Sequence, residues 1–227
     1  MQKFEAAEIP SEIHAFLIRN NKRFGSQARE SNHYWVTELC KCLRQSYYEL
    51  SKTPSDAEAQ ETEAELLWSL QSGKYLHNLT NSFRWRELDI EKEILCQDID
   101  EKLYIHGRLD MYDYKTETII DLKTTSAVKW QYEKNLIPRQ RDIHQLQSYG
   151  SLFDPKIGVA NLTLLYADLK NLISFKVPVV NKLKWIEDRL LELYLSVHVM
   201  KSPPQAERSV ACDYCKFKKR CDSDSKG

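Results

Sequence analysis

Residues whose types and spacing could do chemistry together cluster in the middle of the chain. Gly107-Arg-Leu-Asp110 precedes Asp121-Leu-Lys123, with ten residues between the two aspartates. Strand side chains alternate, so Asp121 and Lys123 share one face and Leu122 points to the other. If strands over 103–114 and 117–123 pair, Asp110 meets the face of Asp121. Two carboxylates offer hard oxygen ligands to Mg²⁺ or Mn²⁺. Such a cation lowers the pKa of bound water, and a neighbouring ammonium can orient that water or stabilise a pentavalent phosphate. A lone D-x-K is a surface salt bridge far more often than a site. Here it ends the apolar pair Ile119-Ile120, where an unpaired charge is costly without a metal or partner.

Three further positions belong with this set. His77 lies in Gly73-Lys-Tyr-Leu-His77; Gly73 permits close backbone approach, and an imidazole suits a manganese site. Gln145 and Tyr149 are spaced i, i+4, which puts both on one helical face, where they can hydrogen-bond a phosphate or position the lysine. At the C-terminus, Cys212, Cys215 and Cys221 place three thiols within ten residues, and Cys40 and Cys42 lie far upstream. Four thiolates serve either zinc or an iron–sulfur cluster. Cys96, within Ile94-Leu95-Cys96, reads as a core residue.

The elements that must position these residues are legible in outline. The N-terminal third reads as helical. An acidic run with Asp56, Glu58, Glu61, Glu63 and Glu65 reads as a solvated helix start, leading into a stripe of Leu66, Leu70, Gly73 and His77. Residues 83–95 and 102–123 read as strands. A helix over 142–153 with Asp142 as its N-cap follows, then strands over 162–167 and 172–179. A longer helix runs from 183 to 200, ahead of Pro203-Pro204. This order predicts an α/β fold, a mixed sheet flanked by helices, in one domain over 1–227.

Composition narrows the function classes. The chain has 227 residues, 42% hydrophobic and 29% charged, with 33 basic and 33 acidic side chains. That balance excludes a disordered chain or a fibre. A neutral total means that any nucleic-acid surface is local. The stretch from Lys123 to Arg141 supplies one, with Lys129, Lys134, Arg139 and Arg141 around Trp130 and Tyr132, against Glu133. Cations among aromatics suit single-stranded DNA. Of these, Lys129, Trp130, Arg139 and Arg141 are the candidate DNA contacts. No apolar run approaches the roughly 20 residues that span a bilayer, and the charged N-terminus reads as cytoplasmic.

The four motifs, G-x-x-x-H at 73–77, G-x-x-D at 107–110, D-x-K at 121–123 and Q-x-x-x-Y at 145–149, occur in the order found in the RecB-like branch of the PD-(D/E)XK nucleases, and the chain resembles that branch. The resemblance implies a restriction-endonuclease-like sheet. It also implies His77, Asp110, Asp121 and the Leu122 carbonyl as ligands of Mn²⁺ or Mg²⁺, and Lys123 as the catalytic lysine. The one-plus-three cysteine pattern, with Cys42-Leu-Arg44 followed by Tyr47-Tyr48, is similar to the iron–sulfur nucleases of that branch. It implies a 4Fe–4S cluster on Cys42, Cys212, Cys215 and Cys221, joining 35–50 to 205–223. Together these features resemble the CRISPR-associated Cas-four exonuclease family over roughly residues 35–223. That resemblance implies 5′-to-3′ cleavage of single-stranded DNA, trimming of DNA ends before spacer acquisition, and the CRISPR integrase as a partner. A stand-alone viral, mobile-element or repair nuclease would share every motif. A non-catalytic DNA-end-binding subunit and a zinc-bearing module are the readings from other classes.

Overall fold

Alternating β-branched and aromatic residues build one mixed, six-stranded sheet. The computed structural model describes residues 30–56, 71–75, 86–96, 101–153 and 158–225, with backbone alone at 86–96, 101, 210 and 214. Strand β1 (His33–Trp35) runs straight into helix α1 (Val36–Leu39), and α2 (Leu43–Leu50) follows. Then come β2 (Arg86–Cys96), β3 (Glu101–Asp113) and β4 (Thr118–Thr124), helices α3 (Val128–Glu133) and α4 (Gln140–Leu152), and strands β5 (Asn161–Ala167) and β6 (Leu172–Val177). Helix α5 (Leu183–Tyr194) continues as a π-helical turn over Leu195–Met200, and a 3₁₀ turn (Val210–Tyr214) and α6 (Lys218–Asp224) close the described chain.

The β2–β3, β3–β4 and β5–β6 pairs are antiparallel, whereas β1 runs parallel to β3 and β4 parallel to β5. The parallel β4–β5 pair requires a crossover, which α3 and α4 supply. Register sets Asp121 opposite Leu164 and Lys123 opposite Tyr166. A large core lies on one face, where Leu103, Ile105, Leu109, Tyr112 and Ile119 meet Leu39 and Leu43, Leu146 and Tyr149 of α4, and Leu190 of α5. A small cluster of Met111, Leu122 and Ala167 lies apart from it.

The break between the two central strands is where the sequence places it, in a turn where Asp113 accepts from the Lys115 amide at 2.9 Å and the Thr116 hydroxyl at 2.6 Å. Several boundaries differ from the sequence reading. Helix α4 begins at Gln140 with Arg139 as its N-cap. Asp142 therefore lies in the first turn, and its carboxylate is taken by the buried Tyr166 hydroxyl instead of capping the helix. Strand β6 stops at Val177 because Pro178 has no N–H to give to the ladder. Asp56 is not helical; it caps α6, accepting from the amides of Lys219 and Arg220. Residues 57–70, which carry most of the acidic run, and the side chain of Cys96 lie outside the described part. Among the described residues no helix is long and apolar enough to cross a membrane.

Candidate functional site

A change of pleat parity brings the two aspartates together. Arg86 pairs with Tyr112 and Leu88 with Leu109, so three steps on β3 oppose two on β2. Before this bulge the odd residues Leu103, Ile105 and Leu109 face the large core; after it, Tyr112 does, and Met111 belongs to the small cluster. The extra residue falls at 109–112 and turns Asp110 toward β4. There its Oδ2 accepts from the Leu122 amide at 2.8 Å. Bulges beside active sites re-aim side chains in this way.

On β4, Asp121 is buried, and the Lys123 ammonium lies 2.7 Å from its Oδ2. Oδ2 is buried, and among the described residues its partner is that ammonium. Burial pushes the Asp121 carboxyl up to about 7; Lys123 opposes the shift, and Asp110 and Asp142 add to it. Lys123 donates to Gln145 Oε1 at 3.0 Å, and Gln145 Nε2 donates to the Tyr149 hydroxyl at 2.9 Å. Burial also raises the Tyr149 phenol, and the negative charge of Asp121 adds to the effect. The phenol therefore stays protonated and neutral at physiological pH. Asp110, Asp121, Lys123, Gln145 and Tyr149 thus form one connected site.

A buried carboxylate whose carboxyl is pushed up by burial, held by one ammonium and next to a second carboxylate, is an environment that a divalent cation relieves, and the oxygen donors suit Mg²⁺ or Mn²⁺. Among the described residues no three His, Cys, Asp or Glu side chains are gathered to hold an ion. The aspartates offer a pair, and His77, the third expected side-chain ligand, lies outside the described residues. Gly73 is described: a Cβ there would meet Thr124 Oγ1 at 2.8 Å. The G-x-x-x-H segment therefore starts against the residue that follows Lys123.

Cys42, Cys212, Cys215 and Cys221 all line a cavity of about 340 Å³, together with Arg44 and Arg208, and Gln140, Arg141 and His144 of α4 also reach it. The Cys215 thiol is raised first by burial and then by the charges of Cys42, Cys212 and Cys221. Cys212 Sγ accepts from the Ser209 amide at 3.4 Å, and Cys221 Sγ lies 4.0 Å from Arg44 Nη1. Cys40 differs. It is buried, 3.8 Å from the Ser148 hydroxyl, and burial pushes its thiol up to about 12. It remains neutral at the inner wall of the cavity.

Protein contacts already join the chain ends around this cavity, a role the sequence reading gave to the cluster. Buried Arg44 donates to the Pro204 carbonyl at 2.6 Å and the Ser225 hydroxyl at 2.8 Å. Tyr48 donates to Asp224, also at 2.8 Å. Arg189 holds the carbonyls of Leu39 and Lys41, and Glu207. The one sequence signal for this junction is the Arg44, Tyr47, Tyr48 run beside Cys42.

The candidate DNA contacts do not share one surface role. Lys129 and Trp130 stand exposed on α3, one short loop after β4, with Trp130 53% and Tyr132 49% accessible. Arg139 is engaged internally with Thr125 and Gln131, each at 3.2 Å. Arg141 is paired with Asp142 and lines the cysteine cavity. Beside α3, anchored by Asp168 to the Val128 amide, the β5–β6 turn exposes Leu169, and Leu172 stands exposed at the start of β6.

Comparison with known proteins agrees with this geometry. No curated protein matches the chain in sequence. Among solved structures eleven chains match. One is the crystal structure of SSO0001, alike in fold at a TM-score of 0.63 and 20% identity over 93% of this chain and 95% of that one. Residues 5–222 match the model of the PD-(D/E)XK nuclease superfamily. With Asp110, Asp121 and Lys123 joined in one site, the chain belongs to the PD-(D/E)XK nuclease superfamily.

Proposed function

We propose that this protein is a metal-dependent exonuclease of single-stranded DNA, a single domain carrying a 4Fe–4S cluster. We further propose that it trims DNA ends in CRISPR spacer acquisition beside the integrase. The nuclease reading rests above all on one observation, the buried Asp121 carboxylate beside Asp110 and paired with Lys123 of the Lys123–Gln145–Tyr149 chain. Asp110, Asp121, His77 and the Leu122 carbonyl would hold Mg²⁺ or Mn²⁺. When bound, the cation supplies an acidified water and screens the scissile phosphate. Lys123 holds its ammonium at the edge of the site, 21% exposed, where it can donate to a phosphate oxygen or to the attacking water. Gln145 fixes the direction of that ammonium, and Tyr149 fixes Gln145. A cation held there would favour the ionised form of Asp121 and would compete with Lys123 for its carboxylate.

The single-strand preference is supported by α3, whose exposed Trp130 and Tyr132 sit with Lys129 one short loop from Lys123. Unpaired bases stack on such rings, and duplex bases cannot reach them. The cluster is supported by the donor set. Cys42, Cys212, Cys215 and Cys221 all line one cavity, and thiolates are the donors that such a cluster takes. The cavity wall carries Arg44 and Arg208, suited to balance thiolate charge. The CRISPR role and the integrase partner rest on the motif resemblance alone.

The test is digestion of end-labelled single-stranded DNA with Mn²⁺, beside Asp121→Ala. Cleavage by the wild type that is lost in the variant, with binding retained, supports the reading, and the labelled end gives polarity. Wild-type protein that binds DNA ends but never cleaves them overturns it in favour of an end-binding subunit.

A further inference from the structure

The glycine of the G-x-x-D segment has a steric role that no motif states. Gly107 does not have a positive φ, so its backbone suits other residues. The constraint comes from its neighbour: a Cβ at 107 would stand 2.6 Å from Tyr149 Cε1, 3.2 Å from Cδ1 and 3.4 Å from Val36 Cγ2. Real carbon contacts lie near about 3.5–4.0 Å, so the ring would have to move. It has little room, because Tyr149 and Val36 are both buried in the large core. The hydroxyl of that ring accepts from Gln145, and Gln145 accepts from Lys123.

We propose that Gly107 is a positioning residue for the cleavage reaction: its missing side chain seats the Tyr149 ring where the hydroxyl holds Gln145, and Gln145 aims the Lys123 ammonium. This rests on the nuclease reading above. Gly107 touches neither substrate nor metal. It acts through Tyr149, and a shift of about 1 Å in such a chain is enough to slow chemistry on the order of a hundredfold. Because Gly107 lies away from α3, substrate binding should be indifferent to it.

The experiment is a double-mutant cycle of Gly107→Ala with Tyr149→Leu, reading kcat per folded molecule, KM for an oligonucleotide, and Tm. Leucine at 149 removes the ring atoms that the new methyl would strike. In the wild-type background Gly107→Ala should lower kcat by about tenfold to a hundredfold at nearly constant KM. In the Tyr149→Leu background it should lower kcat by less than about twofold, and its Tm loss should vanish as well. Equal losses in both backgrounds overturn the proposal, as does a folded Gly107→Ala enzyme with normal kcat. If Gly107→Ala alone fails to fold, the double variant decides. Folding and cleaving like Tyr149→Leu supports the proposal; failing to fold refutes it, since something other than the ring then excludes the methyl. A wild-type chain inert with Mn²⁺ would instead defeat the nuclease reading. Active but uncoupled variants defeat only the role of Gly107.

Discussion

Replacing Asp121 by asparagine should destroy activity and yet stabilise the metal-free protein at alkaline pH. The folded carboxyl titrates at about 7 against an ordinary 3.8, because burial outweighs the attraction of Lys123. A raised carboxyl is most favourable to folding below the unfolded pKa, and that advantage is lost as pH rises through the folded one. Between about pH 4 and 7 the unfolded chain has released a proton that the folded chain keeps. Unfolding free energy therefore falls with pH across that window. The gap of about three units corresponds to at most about 4 kcal/mol. Loss of the ion pair offsets part of it, although Lys123 keeps Gln145 and some water. A net gain of about 1–3 kcal/mol at pH 8 remains, or about 3–10 °C for a chain of this length. Thermal unfolding by circular dichroism, with a chelator, at pH 4.5 and pH 8 measures it. The advantage of Asp121→Asn should be small at pH 4.5 and grow by pH 8. Added Mn²⁺ should then raise the wild-type Tm and leave that of the variant unchanged. A variant less stable than wild type at pH 8, or an advantage independent of pH, would refute the burial argument.

Lys123→Met should slow cleavage by about a thousandfold with oligonucleotide affinity nearly intact, and Tyr149→Phe by less, about tenfold to a hundredfold; single-turnover rates beside filter binding would show the order, and the reverse ranking would contradict the chain of contacts. Cys215→Ala should lower iron per chain on anaerobic purification, and a fully iron-loaded, stable variant would remove Cys215 from the cluster. Arg44→Ala should cost about 2–3 kcal/mol in chemical denaturation, with or without iron, because its charged hydrogen bonds hold the C-terminal segment. Trp130→Ala should weaken oligo-dT binding by about 1–3 kcal/mol while leaving duplex affinity unchanged; equal weakening of both would point to a general electrostatic role for α3.

The central strands and the D-x-K face were legible because alternation of side-chain direction is a local property: on β4, Ile119 packs in the large core whereas Ile120 and Leu122 pack in the small cluster. The bulge was not. Strict alternation through Leu103, Ile105, Leu109 and Met111 would set Asp110 on the face opposite those residues, and the parity change comes from pairing with β2. Asp142 reads as a cap from its position ahead of an apolar run. Its actual partner, Tyr166, lies 24 residues away on another strand. Asp56 belongs by composition to an acidic run, yet it binds amides more than 160 residues downstream. Such partners follow from packing between distant segments, which a single sequence does not encode as a pattern. Cys42 was separable from Cys40 only through its neighbours Arg44, Tyr47 and Tyr48; the structure adds the reason, since Cys40 is sealed against Ser148.

One helix serves both sites, and its periodicity shows how. Arg141 and His144 of α4 line the cysteine cavity, and Ser148, one turn beyond His144, meets Cys40. These positions at i, i+3 and i+7 form one stripe. Gln145 and Tyr149 form the adjacent stripe and reach Lys123 and the space over Gly107. A rigid helix cannot rotate one stripe without the other, so its orientation is set jointly by the cavity wall and the sheet. At the boundary, Cys40 is held neutral by burial, with its thiol at about 12. A thiolate there would add a negative charge near Asp121, whose carboxyl burial already pushes up. The neutral thiol and the small hydroxyl of Ser148 let the helix pack closely between a thiol-rich cavity and a carboxylate pair without setting their charges against each other.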